Sequence, residues 1–134
     1  MALFSLTKKS DYGLSFLAFL AQSGRGGRVN LTELEKRGLP RAFMSQIAGS
    51  LVDAGILNSK EGRGGGYALN YEPKDISIKE TLEAIEGDVA PVACVSDPGS
   101  CPAEEVCGQK SFMGRFTTNI EQMLEKQSLA DLIK

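Results

Sequence analysis

The chain has 134 residues, 42% of them hydrophobic, with 15 Lys/Arg against 17 Asp/Glu and neither histidine nor tryptophan. That length suits one domain, or a small domain with an extension, and no apolar run reaches the ~18 residues of a membrane span. The missing histidine excludes His-dependent triads, the usual zinc enzymes and any His-ligated cluster; no other nucleophile–base pair is recognisable, so an enzyme is not expected.

Charge is unevenly divided along the chain. Residues 1–70 hold nine Lys/Arg and five acids, a balance of +4, whereas residues 71–134 hold six and twelve, a balance of -6. A basic half joined to an acidic half points either to a nucleic-acid contact in the first or to ordinary surface variation. Lys8 and Lys9 precede an apolar stretch, as in a signal peptide. Asp11 lies inside that stretch and no clear cleavage site follows, so a soluble, cytoplasmic protein is expected.

In chain order, Leu14, Phe16, Leu17, Phe19 and Leu20 mark a well-buried helix over 7–22, capped by Thr7 or Ser10. Ser23-Gly24-Arg25-Gly26-Gly27 breaks it. Asn30 and Glu33 form a capping box for a short helix over 31–37, which Gly38 closes. Pro40 suits the first position of the next helix, which runs to Ala54 and stops at Gly55. Phe43, Ile47 and Leu51, with Met44 beside them, make its inner face. Short helix, tight turn and second helix form a helix-turn-helix. Residues 56–60 and 66–70 then read as strands joined by Glu61-Gly62-Arg63-Gly64-Gly65, a wing with a glycine-rich tip. Such a tip brings backbone close to phosphates and presents Arg63 to a minor groove; alone, it would more simply be a mobile turn. Its glycines fit neither dinucleotide nor P-loop patterns.

Ser77 and Glu80 open another helix, to about Glu86, with Ile78, Leu82 and Ile85 inward. Residues 91–110 follow, holding Cys94, Cys101 and Cys107 and interrupted by Pro91, Pro98, Gly99, Pro102 and Gly108. A loop without regular structure is expected there. An odd number of cysteines in one loop is a poor disulfide framework and a reasonable metal or redox site. Their C-x6-C and C-x5-C spacings are unlike the C-x2-C knuckles of structural zinc. After the loop, Phe112, Phe116, Ile120 and Leu124, widened by Met113 and Met123, form the stripe of a long amphipathic helix. That stripe packs either on its own domain or on a second copy. Ser128-Leu129-Ala130-Asp131 caps a last short turn.

Several stretches together resemble a known family. They are Leu6-Thr7-Lys8-Lys9-Ser10-Asp11-Tyr12, Gln46 with Leu51 and Gly55-Ile56-Leu57, and Gly62-Arg63-Gly64-Gly65-Gly66-Tyr67. The spaced Cys94, Cys101 and Cys107 and the terminal Ser128-Leu129-Ala130-Asp131-Leu132-Ile133 complete the set. In this order, over nearly the whole chain, the sequence resembles the winged-helix transcription regulators of the IscR, NsrR and RirA kind. The resemblance implies a homodimer paired through the long C-terminal helix. It also implies an iron–sulfur cluster, 4Fe–4S or 2Fe–2S, held by the three cysteines and one further ligand. One branch of the family has a histidine three residues after the last cysteine, where this chain has Lys110, a poor ligand. The nitric-oxide-sensing branch uses an aspartate near the start of the first helix, given by the partner subunit. Asp11 falls at that position and is expected to complete the site; otherwise it is a first-turn acid favoured by the helix dipole.

On the DNA side, Arg41, Ala42, Phe43, Ser45 and Gln46 match the N-terminal end of the family's recognition helix. Gln46 suits an adenine and Arg41 a guanine or a phosphate; Phe43 meets either a thymine methyl or the core. Arg63 and Gly64 in the wing and Lys8 and Lys9 at the start are counted as further DNA contacts. Ser45 stands where the family often has an acid and Glu61 where it often has a base, so no operator sequence carries over. The expected fold is mainly α with a small β-hairpin. A winged helix-turn-helix domain spans 1–87, a cysteine loop 88–109, and a dimerisation helix with a terminal turn 110–134. The expected function is a homodimeric regulator whose binding to a palindromic operator is controlled by an iron–sulfur cluster sensing nitric oxide, redox or iron status. The alternatives are a winged-helix binder controlled by thiols or a partner protein, and an iron–sulfur electron carrier.

Overall fold

A computed structural model describes residues 6–24, 26–87 and 93–133. Arg25 of the glycine-rich break and residues 88–92, which include Pro91 at the head of the expected cysteine loop, lie outside the described residues.

α1 (Lys8–Ser23) begins where the Thr7 hydroxyl accepts the Ser10 N–H at 3.1 Å, so Thr7 rather than Ser10 is the cap. It buries Phe16, Leu17 and Leu20 completely. α2 (Leu31–Lys36) opens on the expected cap, with Asn30 Oδ1 accepting the Glu33 N–H at 2.8 Å. α3 (Arg41–Asp53) starts one residue later than expected. Pro40 is the extended residue before the helix, and its carbonyl accepts the Met44 N–H at 2.9 Å, which needs no N–H from the proline itself.

The inner face of α3 is also turned slightly from the expected one. Met44, Ile47, Ala48 and Leu51 are buried, whereas Phe43 is half-buried and meets the Tyr12 ring edge-on at 5.6 Å. Steps of three and four from Met44 place these four residues on one stripe, which leaves Phe43 on its flank.

β1 (Leu57–Lys60) pairs antiparallel with β2 (Gly66–Leu69), Leu57 opposite Leu69 and Lys60 opposite Gly66. Val29 adds a bridge on the far side of β2, exchanging both hydrogen bonds with Tyr67 at 3.0 and 2.8 Å. After a 3-10 turn at Pro73–Asp75, α4 (Ile78–Glu86) is capped by Ser77 as expected and buries Ile78, Thr81, Leu82 and Ile85.

α5 (Ala93–Ser96) and a 3-10 turn at Glu104–Val106 correct the expectation of an irregular loop. The stretches between the prolines and glycines are just long enough for single helical turns. α6 (Lys110–Lys126) leads to a 3-10 turn at Leu129–Ile133. This last segment returns to the core: Leu129 is fully buried, its N–H donates to Ile76 O, and Ile78 N–H donates to Gln127 O, both at 2.9 Å. Among the described residues, no helix is long and apolar enough to cross a membrane.

Candidate nucleic-acid interface and cysteine segment

A groove of about 680 Å³ separates the starts of α2 and α3 from the hairpin, lined among others by Asn30, Thr32, Arg41, Lys60, Arg63 and Gly64. Arg41 is exposed and held at the groove by Thr32 Oγ1, 3.2 Å from its Nη1, and by the Glu35 carboxylate at 3.9 Å. Ala42, Ser45 and Gln46 are exposed on the outer face of α3, and Arg63 and Gly64 are exposed at the hairpin tip. The structure therefore brings Arg41 and the hairpin residues to one groove, with Ala42, Ser45 and Gln46 on the solvent side of the same helix.

Lys8 and Lys9 do not line that groove. They sit at the start of α1, Lys8 exposed and Lys9 half-exposed. There the Glu86 carboxylate, at the end of α4, accepts hydrogen bonds from the Thr7 hydroxyl and, at 2.9 Å, from Ser10 Oγ. The Thr7 bond above all holds the Glu86 carboxyl below the usual range; burial opposes it, and Ser10 and the Lys9 charge assist.

The inward grip of one basic residue on the hairpin was not expected from the sequence. Arg28 counted only as part of the basic half, yet its guanidinium turns inward, Nη1 donating to Gly66 O at 3.0 Å and Nη2 to Asn58 Oδ1 at 2.8 Å. Asn58 Nδ2 donates to Asn70 Oδ1 at 2.8 Å, and Asn70 Nδ2 to Gly55 O at 2.7 Å. Two asparagines on one face of a hairpin, diagonally across the strands, were the available signal.

Cys94 lies in α5, Cys101 in a turn and Cys107 just after the Glu104–Val106 turn; all three thiols are free and half-buried. Glu104 knits the segment together. Its Oε2 accepts the Gly99 N–H at 2.8 Å, and its Oε1, buried without a hydrogen-bond donor, lies 3.6 Å from Lys110 Nζ. Asp11 is exposed on the first turn of α1. Among the described residues no three Cys, Asp or Glu side chains are grouped closely enough to hold a metal ion, so Asp11 and the thiols of its own chain do not form one site. The donor chemistry nonetheless fits an iron–sulfur group: three reduced, half-exposed thiols in one segment supply soft ligands.

α6 rests on α4 through the Lys79–Glu125 ion pair at 2.9 Å, which first among its contacts holds the Lys79 ammonium above the usual range, with Glu83 assisting. Of the expected stripe, Leu124 packs on the core, and Thr117 is the buried residue of the helix. Phe112 and Met123 remain 53% and 56% exposed, and the Phe112 ring stacks on Phe116 at 5.8 Å.

Comparison with known proteins agrees with this arrangement. The family profile described as Rrf2, iron-dependent transcriptional regulator, matches residues 6–134. An rrf2-like HTH-type transcriptional regulator of Rhodobacter capsulatus is 34% identical over 137 aligned positions, covering 96% of this chain and 91% of its own. The HTH-type transcriptional regulator NsrR of Bacillus subtilis is 30% identical over 131 positions, covering 96% and 90%. Among solved structures, that of CymR, the global cysteine regulator of B. subtilis, is similar with a TM-score of 0.75 at 26% identity, covering 98% of this chain and 97% of that one. A hairpin set beside an exposed second helix, a profile match along almost the entire chain and these relatives lead to one conclusion: the chain belongs to the Rrf2 family of DNA-binding transcriptional regulators, which are not enzymes.

Proposed function

We propose that this regulator binds a palindromic operator as a homodimer. We further propose that an iron–sulfur cluster on Cys94, Cys101 and Cys107, completed by Asp11 from the partner, sets its affinity. The observation that carries this reading is where the cysteine segment lies. It follows directly on α4, whose end is tied to the start of α1 through Glu86, and it runs directly into α6, whose Phe112 and Met123 are exposed. Any ligand that reshapes the segment acts on the DNA-reading part at one end and on the dimer helix at the other.

When bound, such a cluster supplies a centre that oxygen, nitric oxide or iron loss can dismantle, the more readily with a hard carboxylate among its ligands. The protein's own part is mechanical. α3 offers Ala42, Ser45 and Gln46 to base edges in a major groove, and Arg63 reaches the adjacent minor groove. Pairing of two α6 helices covers Phe112, Phe116 and Met123 and fixes two α3 helices at half-sites about 34 Å apart. A shift of α6 on α4 changes that spacing, and only a ligand that favours one dimer geometry over another can regulate.

The test is a visible absorption spectrum with iron and sulfide assays on protein purified without oxygen. Coloured protein with matched iron and sulfide is expected, and Cys101→Ala should abolish the colour and change DNA affinity. Colourless, iron-free protein, even after reconstitution, rejects the cluster. A second reading, thiol regulation without a cluster, draws on the three free, half-buried thiols and on the likeness to a global cysteine regulator. It predicts colourless protein whose DNA affinity follows thiol oxidation.

A further inference from the structure

We infer that Arg28, acting through Asn58 and Asn70, is a positioning residue for DNA recognition: it locks the hairpin to the end of α3, so that both DNA-contacting elements approach DNA as one body. The inference rests on the DNA binding of the family and adds a residue set to it.

The hairpin needs such a lock. Leu57, Ala68 and Leu69 bury its base, but residues 59–64, including Arg63, are exposed. A two-stranded ribbon is marginal in water on its own. Beyond the base, the Phe16 ring meets Tyr67 edge-on at 5.9 Å and Val29 pairs with Tyr67. Arg28 is the residue before that bridge, and its two nitrogens grip opposite strands: Gly66 O on β2 at 3.0 Å and Asn58 Oδ1 on β1 at 2.8 Å. A guanidinium fork is suited to such a two-point grip, and its charge strengthens both bonds.

The grip continues into the helix. Asn58 passes it to Asn70 at 2.8 Å, and Asn70 donates to the carbonyl of Gly55, immediately past the Ala54 cap of α3, at 2.7 Å. Asn70 N–H also donates to Ile56 O at 3.0 Å. Three side-chain hydrogen bonds therefore run in series from the α1–α2 connection through Asn58 and Asn70 to the end of the helix that reads bases, and a fourth branches from Arg28 to β2. Each polar group in the relay is satisfied by the next, so loss of one member strands its neighbours. Arg28 is half-buried with Nη1 and Nη2 both bonded to the hairpin, whereas Arg41, bonded to Thr32 through Nη1, and Arg63 are exposed. It fixes where they stand.

The test compares Arg28→Ala, Asn58→Ala and Asn70→Ala in the full chain. The DNA probe is a duplex that the wild-type protein selects from a randomised library. Amide hydrogen exchange at Tyr67 and Ala68, whose N–H groups bond Val29 and the facing strand, should quicken in all three variants while exchange in α1 and α4 stays as in wild type. If the hairpin is docked only a tenth of the time, the Kd for the selected duplex rises about tenfold. The salt slope of binding should not change in Asn58→Ala or Asn70→Ala, because no phosphate contact is removed. Wild-type exchange and affinity in both asparagine variants would overturn the inference. So would an Arg28→Ala effect confined to a salt slope smaller by about one, the mark of a direct phosphate contact. Should wild-type protein select no duplex, DNA binding itself fails, and the exchange data still decide whether the lock exists.

Discussion

Gly66→Ala places the sharpest demand on the hairpin. Gly66 opens β2 with φ +125°. A Cβ there would stand 2.7 Å from the Val29 carbonyl oxygen, 2.9 Å from its carbon and 3.1 Å from Asn30 N. All three are backbone atoms, pinned by the Val29–Tyr67 pair at 3.0 and 2.8 Å. An alanine must accept a backbone conformation costing roughly 1–3 kcal/mol. It must also push the Val29 backbone away, giving up two hydrogen bonds of about 1 kcal/mol each. The total, about 3–5 kcal/mol, is a large part of the ~5–15 kcal/mol that holds a typical domain together. For a chain of this size it lowers the melting temperature by about 10–20 °C. Gly64→Ala is the control: Gly64 has φ +75° but nothing within 4 Å of an added Cβ. Its cost is the backbone alone, about 1–2 kcal/mol. Thermal unfolding followed by circular dichroism measures both. A Gly66→Ala protein melting within a few degrees of wild type, or a Gly64→Ala protein falling as far as Gly66→Ala, would refute the reasoning.

Three further outcomes are expected. Leu129→Ala removes a fully buried side chain that ties the C-terminal turn to the core, and should cost about 2–5 kcal/mol in urea unfolding; a loss under ~1 kcal/mol would mean that the turn is not part of the cooperative core. Arg41→Ala should weaken binding to a selected duplex by about 1–3 kcal/mol, with a salt slope smaller by about one if the partner is a phosphate and relaxed sequence selection if it is a base. Undiminished binding would remove Arg41 from the interface. Glu86 binds its proton less readily folded than unfolded, so its contribution is complete above the ordinary glutamate value of about 4.5 and disappears as pH falls through the lower folded value. Urea midpoints of wild type and Glu86→Gln should therefore differ at neutral pH and converge in acid; a gap that persists in acid would contradict the assignment.

What was legible in the sequence is what is decided locally. Asn30 and Ser77 cap the helices expected of them because the accepting side chain and the N–H it satisfies are three residues apart. The hairpin followed from its glycine-rich tip. The departures arise where a neighbour far along the chain decides. Phe43 and Met44 are adjacent and both apolar, and only the packing of α3 on α1 and α4 selects Met44 for the core. Arg28 looks like any other base of a positive half until Gly66 and Asn58 are brought to it by folding. Prolines and glycines rightly forbade long elements in the cysteine segment, but single turns such as Ala93–Ser96 fit between them. The exposed part of the α6 stripe was visible as a pattern, whereas the Lys79–Glu125 pair that holds the helix on α4 joins residues from separate elements.

The most direct measurement is the affinity of one oxygen-free preparation for its selected duplex, titrated before and after iron is removed by a chelator. Control of DNA binding through Cys94, Cys101 and Cys107 predicts a change of about 5- to 150-fold between the two states, abolished in Cys101→Ala. Equal affinities with and without iron, in protein shown to carry a cluster at the outset, would contradict it.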